Sequence, residues 1–489
     1  MPSYSDLLAK VLADTVACQD PTSAEFASRP LGNYQPLGPF LSGGYPTTDA
    51  ALDAVAQIAD RYRGNDQALK ATATRDQWRL TVSHAIGANL NDLLIETDSA
   101  ERWSILRENL KARAAKIALD LVHYVPVWLF VGQEFEPFSI GPVTFVSRDE
   151  WLEVVARRMG SDPDWRDPLT RLWAGKRLGV GVASRIAGIK GLASALLRQQ
   201  LKPSQWWGTF VAYSRLTEPI QNSDARSMVR FVHPDQWVAC THVTGFGRDE
   251  SNRRGLLATR VALDTLRLIL AQGHRHLVST AADSVVPFSV DGVNQLPRKD
   301  VARRWRANRP GVGGSPGLAM QLITSSSELF TAAGRCIEAV TSAGPAHQCP
   351  NLAERWFNAC HWFGRACLSD VDFTAVVMLV ISLDVLCGGL QEKGIVELVG
   401  RLADVSVSQP VLPGMSLKKL VEKMYKLRSE VAHGSILAVH GELDVERSQL
   451  ESLAAIALRE YVIQLEAYAA GGGLDDRDAF RNSLPAFRP

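Results

Sequence analysis

The stretch FTAVVMLVISLDVLCGGL, Phe373 to Leu390, decides the fold, because it is either a membrane span or the middle of a folded core. A span needs about 20 predominantly apolar residues. This run is shorter and carries Ser382 and Asp384 in its second half. Its apolar positions fall nearly all round a helix rather than along one stripe, the pattern of a helix enclosed by other helices. The stretch therefore reads as the central helix of a bundle.

The flanking segments supply the walls of that bundle. In NLAERWFNACHWFGRACL, residues 351–368, Leu352, Trp356, Cys360, Phe363 and Cys367 recur at i, i+4, i+8, i+11 and i+15, which is one helix face. LAMQLITSSSELFTAAGRCIEAVTSAG before it, and SLKKLVEKMYKLRSEVAHG and ERSQLESLAAIALREYVIQLEAY after it, carry helical spacing as well. An all-α C-terminal domain over residues 316–470 follows, with GGGLDDRDAFRNSLPAFRP as a mobile tail at 471–489.

Further outward the texture changes. Residues 1–120 read as a mainly helical region, on segments such as AALDAVAQIADRYRG and ERWSILRENLKARAAKIALDLV. From Val122 short β-rich pieces appear, YVPVWLFVG, PFSIGPVTFVS, WWGTFVAYSRL and WVACTHVTGF, punctuated by Gly and Pro. The segment NRRGLLATRVALDTLRLILAQG is an amphipathic helix, and SVVPFSVDGV a further strand. Residues 121–315 are therefore expected to form a mixed α/β middle domain, sensor or regulatory, that ends in the basic linker RKDVARRWRANRPGVGGSPG. The fold class is α+β, multidomain.

Composition narrows the function classes. At 489 residues, with 46% hydrophobic and 21% charged residues, the chain has the balance of a globular protein. A net charge of +1 gives no global footprint for nucleic acid, so any such contact must come from a local patch. Arg303, Arg304, Trp305 and Arg306 are the candidates, cations interleaved with an aromatic ring that can meet phosphates and stack on bases. A solvated linker face explains the same residues. Seven cysteines without a CxxC pair and an opening, MPSYSDLLAK, with no signal-peptide pattern point to the cytoplasm. GKRLGVGVASRIAGIKG lacks the spacing of a phosphate-binding loop. His347 and Cys349 of HQCP, with Cys360, His361 and Cys367, lack a metal knuckle. No metal or cofactor is expected.

One helix carries an anomaly. On a wheel that starts at Leu417, the residues Leu420, Val421, Met424, Leu427 and Val431 share an arc, and Arg428 falls inside it. A guanidinium keeps its proton there, so it requires a carboxylate, a phosphate or an interface. Asp384 is one candidate partner. His433 follows five residues later, roughly 140° round a regular helix, so the two converge only if the helix ends between them, which Gly434 would permit. A structural Arg–Asp pair with an ordinary C-terminal histidine is the other explanation.

The run RSEVAHG, residues 428–434, resembles the motif of the HEPN superfamily of helical RNA-cleaving domains, specifically its Apea-like branch, at Arg428, Ser429, His433 and Gly434. ACHWFGRACLSDVDFTAVVMLVISLDVL is similar to that family's paired first helices, with Asp384 at its acidic position. The resemblance spans roughly residues 318–468. Ala432 stands where a larger aliphatic residue is usual, and Asp384 replaces a glutamate. The resemblance implies a metal-independent endoribonuclease that cuts cellular RNA, including tRNA, as a homodimer joined through its C-terminal helices. It implies a defence, abortive-infection or toxin-like effector, answering a phage-derived or small-molecule trigger. His433 would be the general acid/base and Arg428 the phosphate stabiliser, with Ser429 and Asp384 orienting them. The competing expectation is a non-catalytic module that dimerises or holds RNA or a nucleotide, or a regulatory scaffold.

Overall fold

The computed structural model describes residues 2–19, 22, 40–41, 45–131, 136–148, 150–151, 232, 236–284, 290–291, 306–307, 310–313, 317–412, 414–433 and 443–486. Two hydrophobic clusters organise them. The first holds Leu7 to Ile117, and the second runs from Val127 to Leu484.

The first cluster is helical. Its helices are α1 (Tyr4–Gln19), α2 (Asp49–Asn65), α3 (Gln67–Thr72), α4 (Arg75–Ala88), α5 (Leu90–Ile95) and α6 (Ser99–Ala114), with a small strand pair β1 (Phe40–Leu41) and β2 (Tyr45–Pro46). The starts are set chemically: Thr48, Asp66, Thr74 and Asp98 each accept a backbone N–H of the first turn that follows, the donors a helix cannot satisfy itself. Ile58, Trp78, Leu93 and Leu106 are fully buried between these helices.

An antiparallel sheet follows, made of β3 (Leu119–Trp128), β4 (Phe138–Ile140), β5 (Val143–Ser147), β6 (Trp237–Phe246) and β7 (Ser279–Thr280), in the order β4-β5-β6-β3-β7. β3 and β6 pair from Leu119↔Phe246 to Val127↔Trp237. Helix α7 (Arg248–Ile269) lies on this sheet, joined to it by Thr241 Oγ1 to Thr259 Oγ1 at 2.7 Å and His123 Nε2 to Ser251 Oγ at 2.7 Å. A short helix α8 (Gln272–Arg275) and the strand pair β8 (Val290–Asp291) and β9 (Arg306–Ala307) complete this part. The segment WWGTFVAYSRL lies outside the described residues, as do Arg303, Arg304 and Trp305. Arg306 opens β9.

The rest is helical: α9 (Leu318–Ser325), α10 (Ser327–Thr341), α11 (Pro350–Cys367), α12 (Asp372–Cys387), α13 (Gln391–Leu402), the hairpin β10 (Pro410–Leu412) and β11 (Met415–Ser416), α14 (Leu417–Ala432), α15 (Asp444–Ala470) and α16 (Arg477–Ser483). The chain is thus α+β, mainly helical with one small antiparallel sheet. α12 is packed by α11, α13, α14 and α15. Its one buried hydroxyl, Ser382, donates to the Ala359 carbonyl at 2.7 Å, which explains a polar residue inside so apolar a helix. The α11 stripe is 0–3% exposed, and each such apolar side chain contributes about 1.5–3 kcal/mol of burial. No single described helix is long and apolar enough to cross a membrane.

Two expectations change. The described residues on either side of position 315 share the second cluster: α7 packs on α10 and α11 with its other face, so one core joins sheet and bundle. Backbone meets backbone where α10 crosses the β4–β5 turn, since a Cβ on Gly334 would lie 2.5 Å from Gly141 N. The segment 471–486 is not a loose tail. Phe480 is 2% exposed and meets the rings of Tyr461 and Tyr468 edge-on at 4.9 and 5.2 Å.

Candidate functional site

Helix α14 turns its apolar arc inward as the wheel requires, with Leu417, Leu420, Val421, Met424 and Leu427 at 0–8% exposure. Arg428 sits at the edge of that arc, half-buried, with its guanidinium carbon 5.5 Å from the centre of the Tyr425 ring. Among the described residues it has no carboxylate partner. Ser429 and His433 are exposed. The backbone N–H of His433 donates to the Ser429 carbonyl at 3.0 Å, so helical hydrogen bonding continues past Arg428 to the histidine. The expected exit between the two is absent. They diverge by roughly 140° and are offset by about 7.5 Å along the axis. Gly434 lies outside the described residues.

Asp384 is placed elsewhere. Its carboxylate accepts the backbone N–H of Gln391 at 3.1 Å and the Cys387 thiol at 3.7 Å, while its carbonyl accepts from Gly389 N at 2.8 Å. These bonds hold a sharp corner between α12 and α13 in which Gly388, Gly389 and even Gln391 have positive φ (83°, 76° and 59°). A non-glycine residue in that region costs about 1–2 kcal/mol, so an anchor there has a structural purpose. Helix direction then separates Asp384 from Arg428. Asp372, at the start of α12, pairs with Arg447 near the start of α15 at 2.8 Å. Lys423, one turn before Leu427 on α14, pairs with Glu446 at that same start. Arg428 therefore lies toward this end of the bundle, and Asp384 lies 12 residues, about 18 Å, down α12 toward the other. Within one protomer Asp384 orients neither Arg428 nor His433.

Charged groups that no sequence pattern singled out converge where α7, β7 and α11 meet. Arg267 and Asp264 form an ion pair at 2–3% exposure, and Arg267 also donates to the carbonyls of Arg275 and Val278. Next to it Asp283 accepts from Arg260 at 2.7 Å, Arg365 at 3.2 Å and Thr280 Oγ1 at 2.7 Å. Burial pushes the Asp264 carboxyl up to about 7 against the pull of Arg267. Burial likewise lowers His361 to about 4, with Arg260 and Arg365 adding to it, and its Nδ1 has no hydrogen-bond partner. The cavity these groups line has room for about one water, about 10 Å³. No substrate enters such a space. Together with Arg275–Glu451 at 2.8 Å and Arg447–Glu451 at 4.0 Å, the cluster fastens the sheet layer to the bundle. The signal for it was present: Asp264 and Arg267 lie three apart amid Leu263, Leu266 and Leu268 on an otherwise amphipathic helix.

The described residues contain no group of three or more His, Cys, Asp or Glu placed to hold a metal ion. No known protein family, no curated protein and no solved structure matches the chain.

Proposed function

We propose that this chain is a metal-independent endoribonuclease of the HEPN kind, acting on cellular RNA as a homodimer and serving as a defence or toxin-like effector. One observation carries the proposal: at the end of α14, a half-buried arginine without a carboxylate partner among the described residues stands within two turns of an exposed histidine. A guanidinium so placed is available to a phosphate. An exposed imidazole titrates near neutrality and can move the 2′-hydroxyl and leaving-group protons when RNA is cut through its own ribose. Arg428 stabilises the charge that develops on the pentacoordinate phosphorus, His433 serves as general acid/base, and Ser429 lies exposed between them. Because the two side chains diverge on one helix, a site that uses both takes Arg428 from one copy and His433 from its partner across a two-fold axis.

The test is cleavage of mixed cellular RNA, tRNA included, by the purified full chain in excess chelator, beside folded Arg428→Ala and His433→Ala proteins. Cyclic-phosphate ends are expected from the wild type, with each variant reduced by about 10²–10⁴-fold. Mixing the two inactive variants should restore activity to about a quarter of wild type, since half the dimers then carry one intact composite site. RNA that is bound but never cut would assign the chain to the non-catalytic binding class instead.

A further inference from the structure

A cleft of about 400 Å³ opens between the C-terminal half of α10, the loop after it and the last turns of α15, within the ~300–1,000 Å³ range of small-molecule sites. It lies far from the Arg428 motif. Glu466 is 20 residues, about 30 Å, along α15 from Glu446, which marks the motif's end of the bundle. The cleft sets opposite charges side by side. Arg335 Nη1 pairs with Glu466 Oε1 at 3.0 Å, and the arginine side chain is 57% exposed. Glu466 Oε2 is buried and has no hydrogen-bond partner, an acceptor whose donor is missing. His347 Nδ1 accepts the Cys349 N–H at 2.9 Å, so the neutral ring carries its proton on Nε2. Pro345, Ala346 and Ala469 form the apolar part of the lining.

We propose that this cleft binds a small zwitterion, an ammonium set beside a carboxylate as in a free α-amino acid. The ammonium meets Glu466 Oε2 and supplies the missing donor. The carboxylate meets the guanidinium face of Arg335 that Glu466 leaves open, together with the Nε2–H of His347. A ligand of zero net charge leaves the Arg–Glu pair balanced, whereas an anion or a cation alone would add an uncompensated charge to a half-enclosed space. The site is independent of the nuclease proposal and would serve as an effector site on the same bundle.

The experiment is titration calorimetry of the full chain with each of the common amino acids in turn, with nucleoside monophosphates and a polyamine beside them. Saturable binding of one or more amino acids is expected. It should weaken by about tenfold or more in Glu466→Gln and in Arg335→Gln, each of which removes one charge-assisted contact, and persist in Arg428→Ala. The N-acetyl and ester derivatives of the bound amino acid should fail to compete, separating the ammonium contact from the carboxylate contact. Unchanged thermal midpoints of the unliganded variants show that the fold is kept. No binding by any amino acid, binding that ignores both variants, or preferential binding of a nucleotide or polyamine overturns the proposal.

Discussion

Gly364 tests whether the buried ion pair holds the sheet layer to the bundle. It lies inside α11, and a Cβ placed there would overlap the carboxylate of Asp264 on α7. Gly364→Ala therefore drives Asp264 off its seat. Asp264 is 2% exposed and its cation, Arg267, is equally buried, so displacing the carboxylate leaves a guanidinium with only the two carbonyl acceptors of Arg275 and Val278. Breaking a buried pair from one side costs about 3–5 kcal/mol. Alanine returns about 1 kcal/mol through its better helix propensity. A net loss of about 2–4 kcal/mol follows. The assay is urea unfolding followed by tryptophan fluorescence, reading the transition of the cluster that contains Trp356, in wild type, Gly364→Ala, Asp264→Ala and the double variant. Once Asp264 is shortened the added methyl has nothing to displace, so Gly364→Ala should become neutral or stabilising by up to about 1 kcal/mol in that background. An equal loss in both backgrounds, or none in the first, would refute the reasoning.

Two further substitutions follow from the same contacts. Asp384→Ala removes the acceptor of the Gln391 N–H and should lower stability by about 0.5–2 kcal/mol while leaving RNA cleavage per folded molecule unchanged; cleavage lost at unchanged stability would return Asp384 to the site. In the N-terminal cluster Asp60 accepts from both Arg75 and Arg79 at 2.6 Å, and these hydrogen bonds hold its carboxyl well below the usual range. The folded pKa is thus depressed, so the stabilisation is fully present above the unfolded value near pH 4 and falls away as pH drops toward the folded one. Asp60→Asn should cost about 1 kcal/mol at pH 7, limited by the exposure of both arginines, and progressively less below pH 4, as thermal midpoints measured across pH would show.

How far the fold could be read depended on whether the signal was local. The α11 stripe and the α14 arc were legible because a helix that buries one side writes a 3.6-residue period into its own sequence. The switch to strands near Val122 was legible for the same reason, and β3 begins at Leu119. Phe480 was not: one aromatic in a glycine-rich, charged segment has no period, and its burial follows from the rings of Tyr461 and Tyr468 on another helix. The single core that spans residue 315 was hidden too, because α7 is buried on two faces by different layers, and only the placement of Asp264 and Arg267 among leucines hinted at the second one.

Asp384 and Arg428 show the limit most sharply. Each was correctly singled out as a charge on an apolar helix, and pairing them was the cheapest local solution. Local spacing carries no record of which way two helices run past each other. The ion pairs Asp372–Arg447 and Lys423–Glu446 set that direction, and they place the two charges toward opposite ends of the bundle. Each charge then has its own reason to exist. Asp384 anchors a corner that three positive-φ residues would otherwise leave unheld. Arg428 lacks any carboxylate among the described residues, and a cation kept half-buried without one is better placed for an anion from outside the chain than for the stability of the fold.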